Sequence, residues 1–570
     1  MKIFKMAVLM AILPLLPLNS NAQQTWDGSA DSDWENDANW TPGPLAPDYS
    51  EDVTIPSGMP NDPVIQSAPA SPVECNNLTI DAGATLTIQL DGGLNIYGDA
   101  DNSGDIIITG NGIFWQDFGT TYTAQPGSTF TLSRTGISNV LKFNMWSSPV
   151  AAQSVGAFSG NAYSFNPATS TTSAADDDND PGWATAAGNM TVGRGYACAG
   201  CGTVTFTGTP NNGNLSVTVQ YNNPANPTGV PYNLIGNPYP SPLDISEFLA
   251  FGSNPSDLAT IAVYFWDSQT PEPFSISDYA TVNDLGTVSS GTGAGTYSTP
   301  YDFITTGQGF FVDIDPGTDG DMDFSNSIRA DGFDDNSKFY KQADKQRLWL
   351  GVTDADSTVY NELLVAFTDS ATSGFDKKYD AKKLIGNTKL SLYSINNDLH
   401  YAIQGLPYLA EEETEVPVGV SLDTAKTITF SLKWEELLEN FDIYLDDNLT
   451  GTLTNLRDEN YTLSLAAGEH NGRFSLRFTL KTTGIENVEK ADLIISYSSG
   501  NLTIGNAGND LRNIESVSIF DLSGKRIKSW TSLSIKENLS LPFNAVNPGY
   551  YLVKVVSGRN EFQEKIYVTN

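Results

Sequence analysis

Residues 78–108 read LTIDAGATLTIQLDGGLNIYGDADNSGDIII, and their reading decides the fold. Apolar residues recur at every second position in short bursts: Leu78/Ile80, Leu86/Ile88, Leu94/Ile96 and Ile106/Ile108. Turns rich in Gly, Asn and Asp (DAGA, DGG, NSGD) separate the bursts. Alternation with period two puts one side of an extended chain in a core, and turn residues every few positions forbid long helices. The stretch therefore predicts short strands, arranged as a β-solenoid or a small sandwich. Working outward, residues 23–135 share this character and form one N-terminal β-module. They open with TWDGSADSDWENDANW, which carries Trp26, Trp34 and Trp40.

The whole chain has 570 residues, enough for about three to five domains. Charged residues make up only 17%, while Gly and aromatics are abundant, a composition suited to strands and turns. The 30 Lys and Arg against 67 Asp and Glu leave a net charge of -37. Such a surface repels phosphate backbones, so nucleic acid is excluded as a partner. Lys2 and Lys5 followed by the apolar run Met6–Leu18 and Ser20-Asn21-Ala22 read as a signal peptide over residues 1–22. That run is too short to span a bilayer and no later one is longer, so no membrane span is expected in the mature chain. Of three cysteines, Cys198 and Cys201 lie close enough in CAGC to form a local disulfide, as an oxidising compartment allows.

Residues 136–335 read as an internally duplicated β-module. FNMWSSPV at 143–150 echoes YNLIGNPY at 232–239, and AYSFN at 162–166 echoes VYFWD at 263–267. TVGRGYAC at 191–198 then echoes TTGQGFFV at 305–312, and VTFTG at 204–208 echoes MDFSN at 322–326. Residues 345–481 read as a β-sandwich, with RLWLGV at 347–352 and NELLVAF at 361–367 as strands. Within it Trp434, Leu437, Leu438 and Phe441 have helical spacing and predict one short amphipathic helix. A polar linker at 482–487 leads to a final domain at 488–570, another small sandwich.

That last stretch carries IFDLSGK at 519–525, NPGYYLVKV at 547–555 and a terminal KIYV at 565–568. In this order they closely resemble the type A C-terminal sorting domain of type IX secretion cargo proteins from the Bacteroidota. Gly524, Lys525, Gly549, Tyr550 and Lys565 match its landmark positions. The resemblance implies export through the periplasm and outer membrane by the type IX translocon. It also implies trimming, then attachment to surface lipopolysaccharide or release. The opening module and the central WSSPV/NPYPSPLD region resemble uncharacterised modules of the same surface proteins, and these imply no activity.

Candidate chemistry is sparse. The two histidines, His400 and His470, lack the context of a nucleophilic triad, and HExxH, Walker and dinucleotide motifs are absent. A glycosidase needs a carboxylate pair that spacing cannot single out among 67 acids. Two acidic runs are candidate calcium ligands: Asp176, Asp177, Asp178 and Asp180, and then Asp313, Asp315, Asp319, Asp321 and Asp323. Counted from Asp315, Gly320 falls at the sixth position of a calcium loop, but Asn326 stands where the closing Glu belongs. Trp26, Trp34, Trp40, Trp115, Trp146, Trp183 and Trp266 are candidates for stacking on a glycan, with core packing as the competing role.

The sequence thus predicts an all-β chain of tandem sandwich or solenoid modules ending in a sorting domain. Its body reads as an adhesin-like binding or structural protein at the surface, for a glycan or protein ligand, and not as an enzyme. The alternatives are an extracellular hydrolase or carbohydrate-binding accessory protein, and a component associated with the surface or secretion machinery.

Overall fold

The computed structural model describes residues 22–568 apart from 44, 67–71, 140–141, 171–181, 222–230, 268–277, 290–301, 316–318, 331–344, 387, 410–413, 482–492, 499, 507–512, 522–523, 535–537, 545–546 and 558–559. The expected signal peptide at 1–22 and the expected linker at 482–487 thus lie outside the described residues but for Ala22. The fold is all-β, and the chain divides into two compact units, Met1–Leu480 and Lys481–Asn570.

The opening alternation winds into a parallel solenoid. Strands Asp52–Ile55, Val64–Ile65 and Val73–Cys75 form one rung, and Leu78–Ile80, Thr85–Ile88 and Gly93–Ile96 the next. Ala100–Asn102, Asp105–Ile108 and Ile113–Gln116 form a third, and Tyr122–Ala124 and Thr129–Thr135 a fourth. Each rung pairs in parallel with its neighbours, so like residues stack: Leu86 on Ile106 on Phe130, and Leu78 on Ala100. Burial of Leu86, Ile88, Ile106 and Ile108 is complete, as expected where one face of every strand meets the interior.

One corner of the solenoid carries a polar ladder. Asp52 Oδ1 accepts the N–H of Asn77, Asn77 Oδ1 that of Asp99, and Asp99 Oδ1 that of Thr121. Each rung therefore satisfies a backbone donor of the next, at the bend where strand pairing stops. At the first rung Trp26, Trp34 and Trp40 lie edge to face, at 5.1 and 4.7 Å between centroids, and join the same core. At the other end Thr203–Thr207 pairs antiparallel with Thr129–Thr135 and ends the parallel series.

Three of the four echoes fall on strands of matching order and register; the fourth does not, since Thr203–Thr207 joins the solenoid sheet and Gly320–Phe324 pairs with Leu215–Val219. Phe143–Trp146, Tyr196–Ala199, Ala162–Phe165 and Trp183–Thr185 are neighbours in one sheet. Tyr232–Gly236, Gly309–Ile314, Leu258–Asp267 and Asp278–Asn283 are neighbours in another, which Gly286–Val288 extends. Phe143 faces Ala199 as Tyr232 faces Asp313, Tyr163 faces Ala197 as Tyr264 faces Phe311, and Phe165 faces Trp183 as Trp266 faces Tyr279. Helices Ile245–Ala250 and Asn254–Asp257 interrupt the second set.

The contacts between the two sets are reciprocal. Trp146 bridges to Gln308, and Ile235 to Arg194. Ser147 N donates to Gly307 O at 2.8 Å, and Gly236 N to Gly193 O at 2.9 Å. A Cβ on Gly195 would meet Leu234 Cγ at 2.6 Å, and one on Gly309 would meet Met145 Cβ at 3.1 Å. Both Gly193 and Gly307 have φ of +75°, which a residue with a Cβ adopts only under strain.

Arg329 fastens the second set to the solenoid. It donates to Phe114 O at 2.6 Å and Ser241 Oγ at 2.7 Å, and its guanidinium lies over the Tyr239 ring. Burial pulls its pKa down to about 9.

Residues 346–480 form one sheet that curls around a single core. Its path runs Thr452–Asn455, Phe441–Asp447, Phe474–Leu480, Thr414–Leu422, Leu390–Asn396, Leu399–Leu406, Tyr360–Phe367, Gln346–Asp354, Lys426–Glu436, Tyr461–Leu465. Leu350 and Leu445, far apart along that path, share the core. Tyr360–Phe367 is buried on both faces, because Leu364 and Ala366 pack on Tyr264, Tyr279 and Phe311 of the preceding layer. The short helix expected at 434–441 does not form. Trp434 lies in the strand Lys426–Glu436, Leu437 turns at φ +53°, and Phe441 begins the next strand. Ladder bonds from Arg347–Trp349 hold Trp434–Glu436 extended, and the helical spacing arises from a strand end joined to a turn.

In the second unit Leu493–Ser498, Asn501–Asn506 and Asn538–Pro542 form one sheet. Arg526–Ser534, Asn513–Asp521, Gly549–Ser557 and Asn560–Val568 form the other, with Ile504, Val517, Ile519 and Val553 between them.

Candidate functional site

A cleft of about 460 Å³ opens where the solenoid meets both echoed sets. Asn111 and Arg134–Ile137 bound it on the solenoid side, Phe143–Trp146 from the first set, and Trp266, Asp267 and Thr305–Gly309 from the second. Arg134 is held there by hydrogen bonds to the carbonyls of Gly110 and Gly112, and burial draws its pKa down to about 10. Asn144 is fixed by paired bonds with the backbone of Ile137, and Gln308 Oε1 accepts from Thr305. The walls combine three aromatic side chains with amides, one cation and one carboxylate, Asp267.

Trp26, Trp34 and Trp40 are core residues; Trp146 and Trp266 are buried in core clusters as well, with an edge of each lining the cleft. Trp115 is buried and donates to Arg329 O, and Trp183 packs on Phe165 at 5.0 Å. Cys198 and Cys201 are joined, with Cα atoms 5.9 Å apart, and the remaining Cys75 is buried so that its thiol pKa is raised.

Asp176, Asp177, Asp178 and Asp180 lie outside the described residues. The second acidic run is dispersed. Asp313 points inward to Lys382 at 2.9 Å, Asp315 lies 3.8 Å from Lys377, Asp319 accepts from Tyr221 N, and Asp323 accepts from Ser253. Asp321 is exposed. Among the described residues, no three acidic, His or Cys side chains are grouped to hold a metal ion. His400 stacks on Tyr393 at 4.0 Å with its pKa lowered by burial, and His470 contacts the carbonyl of Ala466.

The sorting-domain landmarks fall in two places. Gly524, at φ +81°, and Lys525 close the turn after Asp521, whose side chain accepts the Lys525 N–H. Gly549 opens the penultimate strand. Beside it Tyr550 meets Tyr567 edge to face at 4.9 Å, and Lys565 Nζ lies 4.3 Å from the Tyr550 centroid. Both tyrosines are about half exposed and form a cationic aromatic patch on one sheet face. The sequence marked Tyr550 and Lys565 separately; Tyr567, which completes the patch, follows from the strand register.

The profile described as "Secretion system C-terminal sorting domain" matches residues 498–569. The chain is a cargo protein of type IX secretion, exported through the outer membrane to the cell surface or extracellular space. Among the described residues, no helix is long and apolar enough to cross a membrane. No curated protein matches the chain. Among solved structures, a "Biofilm associated protein - BSP domain" aligns over 77% of this chain and 96% of its own, at 10% identity and a TM-score of 0.11, too low to carry an argument. The profile described as "Domain of unknown function (DUF8693)" matches residues 25–478, so the exported body, and with it most of the chain, belongs to that family.

Proposed function

We propose that this exported body is an adhesin-like binding protein and that the central cleft takes a neutral glycan. The composition of the cleft wall carries the reading. Trp146, Trp266 and Phe143 offer apolar surface, while Asn111, Asn144 and Gln308 offer amides that suit hydroxyl groups. A chain of net charge -37 disfavours acidic ligands. Binding is favoured over hydrolysis because Asp267 is the one carboxylate among the described lining residues, and cleavage of a glycosidic bond uses two. We also read 136–335 as a duplicated module, which the matching registers and reciprocal contacts support, and in which the cleft lies beside the junction of the copies.

The test is a glycan array probed with the secreted protein, alongside Gln308→Ala and Asp267→Asn variants. Retention of a neutral glycan that both variants weaken at least tenfold supports the reading. No retention of any glycan, or retention that neither variant changes, overturns it. Release of reducing ends from the retained glycan would favour the hydrolase instead.

A further inference from the structure

Among the buried polar groups of the described residues, one cluster has the atoms of a reaction. Asp278 lies on the strand Asp278–Asn283, Asn361 on the doubly covered strand Tyr360–Phe367, and Lys383 just after Ala381–Lys382. Asp278 Oδ2 accepts from Lys383 Nζ at 2.8 Å and from Asn361 Nδ2 at 2.6 Å. The lysine and aspartate side chains are 3% and 1% exposed, and Asn361 is fully buried. Leu392 N donates to Asn361 Oδ1 at 2.9 Å, which fixes which amide atom is the oxygen. Gly386 N and Tyr279 N hold the other Asp278 oxygen.

A buried amine, a primary carboxamide and a carboxylate that touches both are the components of amide exchange. We propose that Lys383 and Asn361 are joined by an intramolecular isopeptide bond, formed by the protein itself with Asp278 as the catalytic residue. Asp278 takes a proton from the Lys383 ammonium, and the freed Nζ lone pair attacks Asn361 Cγ. Negative charge develops on Oδ1, where the Leu392 N–H already donates. The C–Nδ2 bond breaks as a second proton passes from Nζ through Asp278 to Nδ2. Ammonia leaves, a secondary amide remains, and Asp278 keeps the first proton. No oxidant or cofactor is required. Both nitrogens share one carboxylate oxygen, so the packed fold supplies proximity before any bond forms.

The neighbouring Lys382–Asp313 pair is an internal contrast. It has a similar 2.9 Å separation, but among the described residues the side chains bonded to Asp313 are Lys382 and Thr260, neither of which is a carboxamide.

Tryptic peptide mapping of the secreted mature chain tests it. The expected result is a branched peptide linking Lys383 to Asn361, lighter than its two components by the mass of ammonia, about 17 Da, and no cleavage after Lys383. Linear peptides with cleavage after Lys383 overturn the proposal. Mapping the junction itself avoids confusion with the same mass loss at an N-terminal glutamine. In Asp278→Asn, monitored for folding by a cooperative melt, linear peptides support the role of Asp278. A branched peptide in that variant overturns it.

Discussion

Asp447 shows how a single carboxylate is committed to the folded state. Burial opposes its charge, but the Arg473 fork, at 2.9 and 2.7 Å, and the Tyr461 hydroxyl outweigh this and bring its pKa down to about 2. A depressed carboxyl favours the native state above the ordinary value near 4, and that contribution disappears as pH falls from about 4 to about 2. Arg473→Leu, which leaves the carboxylate buried without its partner, is expected to cost about 3 kcal/mol in urea unfolding at neutral pH. Asp380 has the opposite sign. Burial raises its pKa to about 6 despite N–H bonds from Asp376 and Gly405. Its folded form retains a proton that the unfolded chain has released, so stability is expected to fall as pH rises from about 4 to about 6 and then level off. Asp380→Asn should flatten that slope in melts taken across the window. Neither role is legible in the sequence, because each depends on partners brought in by folding. The same holds for Asp313, which belongs to an acidic run on paper and to Lys382 in space.

At the element scale, alternation with period two was enough to place Leu86, Ile88, Ile106 and Ile108 inside, yet could not choose between solenoid and sandwich. Both bury every second residue, and only the direction of the neighbouring strand separates them. The deciding signal is the rung offset, seen when Leu86 stacks on Ile106 and Leu78 on Ala100. The helix expected at Trp434–Phe441 failed for a related reason: four side chains cannot report that Arg347–Asp354 runs alongside. The reciprocal junction is sharper to test. A Cβ on Gly236 would collide with Ser147 Cβ and come within 2.8 Å of Gln308 O. Gly236→Ala is therefore expected to cost about 2–3 kcal/mol by forcing the two sets apart. Denaturant unfolding measures this, and a loss below about 0.5 kcal/mol would mean that the junction yields.

For the whole molecule, the sorting unit was the most legible part, since IFDLSGK, NPGYYLVKV and KIYV are local motifs that need no distant partner. Deleting 498–569 is expected to leave the chain in the periplasm, with none in the medium or at the surface, as fractionation and immunoblotting would reveal. A Tyr550→Ala, Lys565→Ala pair that is exported normally would limit the patch around Tyr567 to packing. The body was less legible because its layers are joined by single residues such as Arg329 and Asp278, which no motif announces. The solenoid has one more consequence. Its rungs are interchangeable in register, the tryptophan trio closes one end, and the antiparallel strand Thr203–Thr207 closes the other. Removing 78–99 would bring Ala100 to the position of Leu78, with both closures intact. The rung is then a unit of length, and each one added or lost changes the reach of this segment by about 4.8 Å, an adjustable spacer between its two fixed ends.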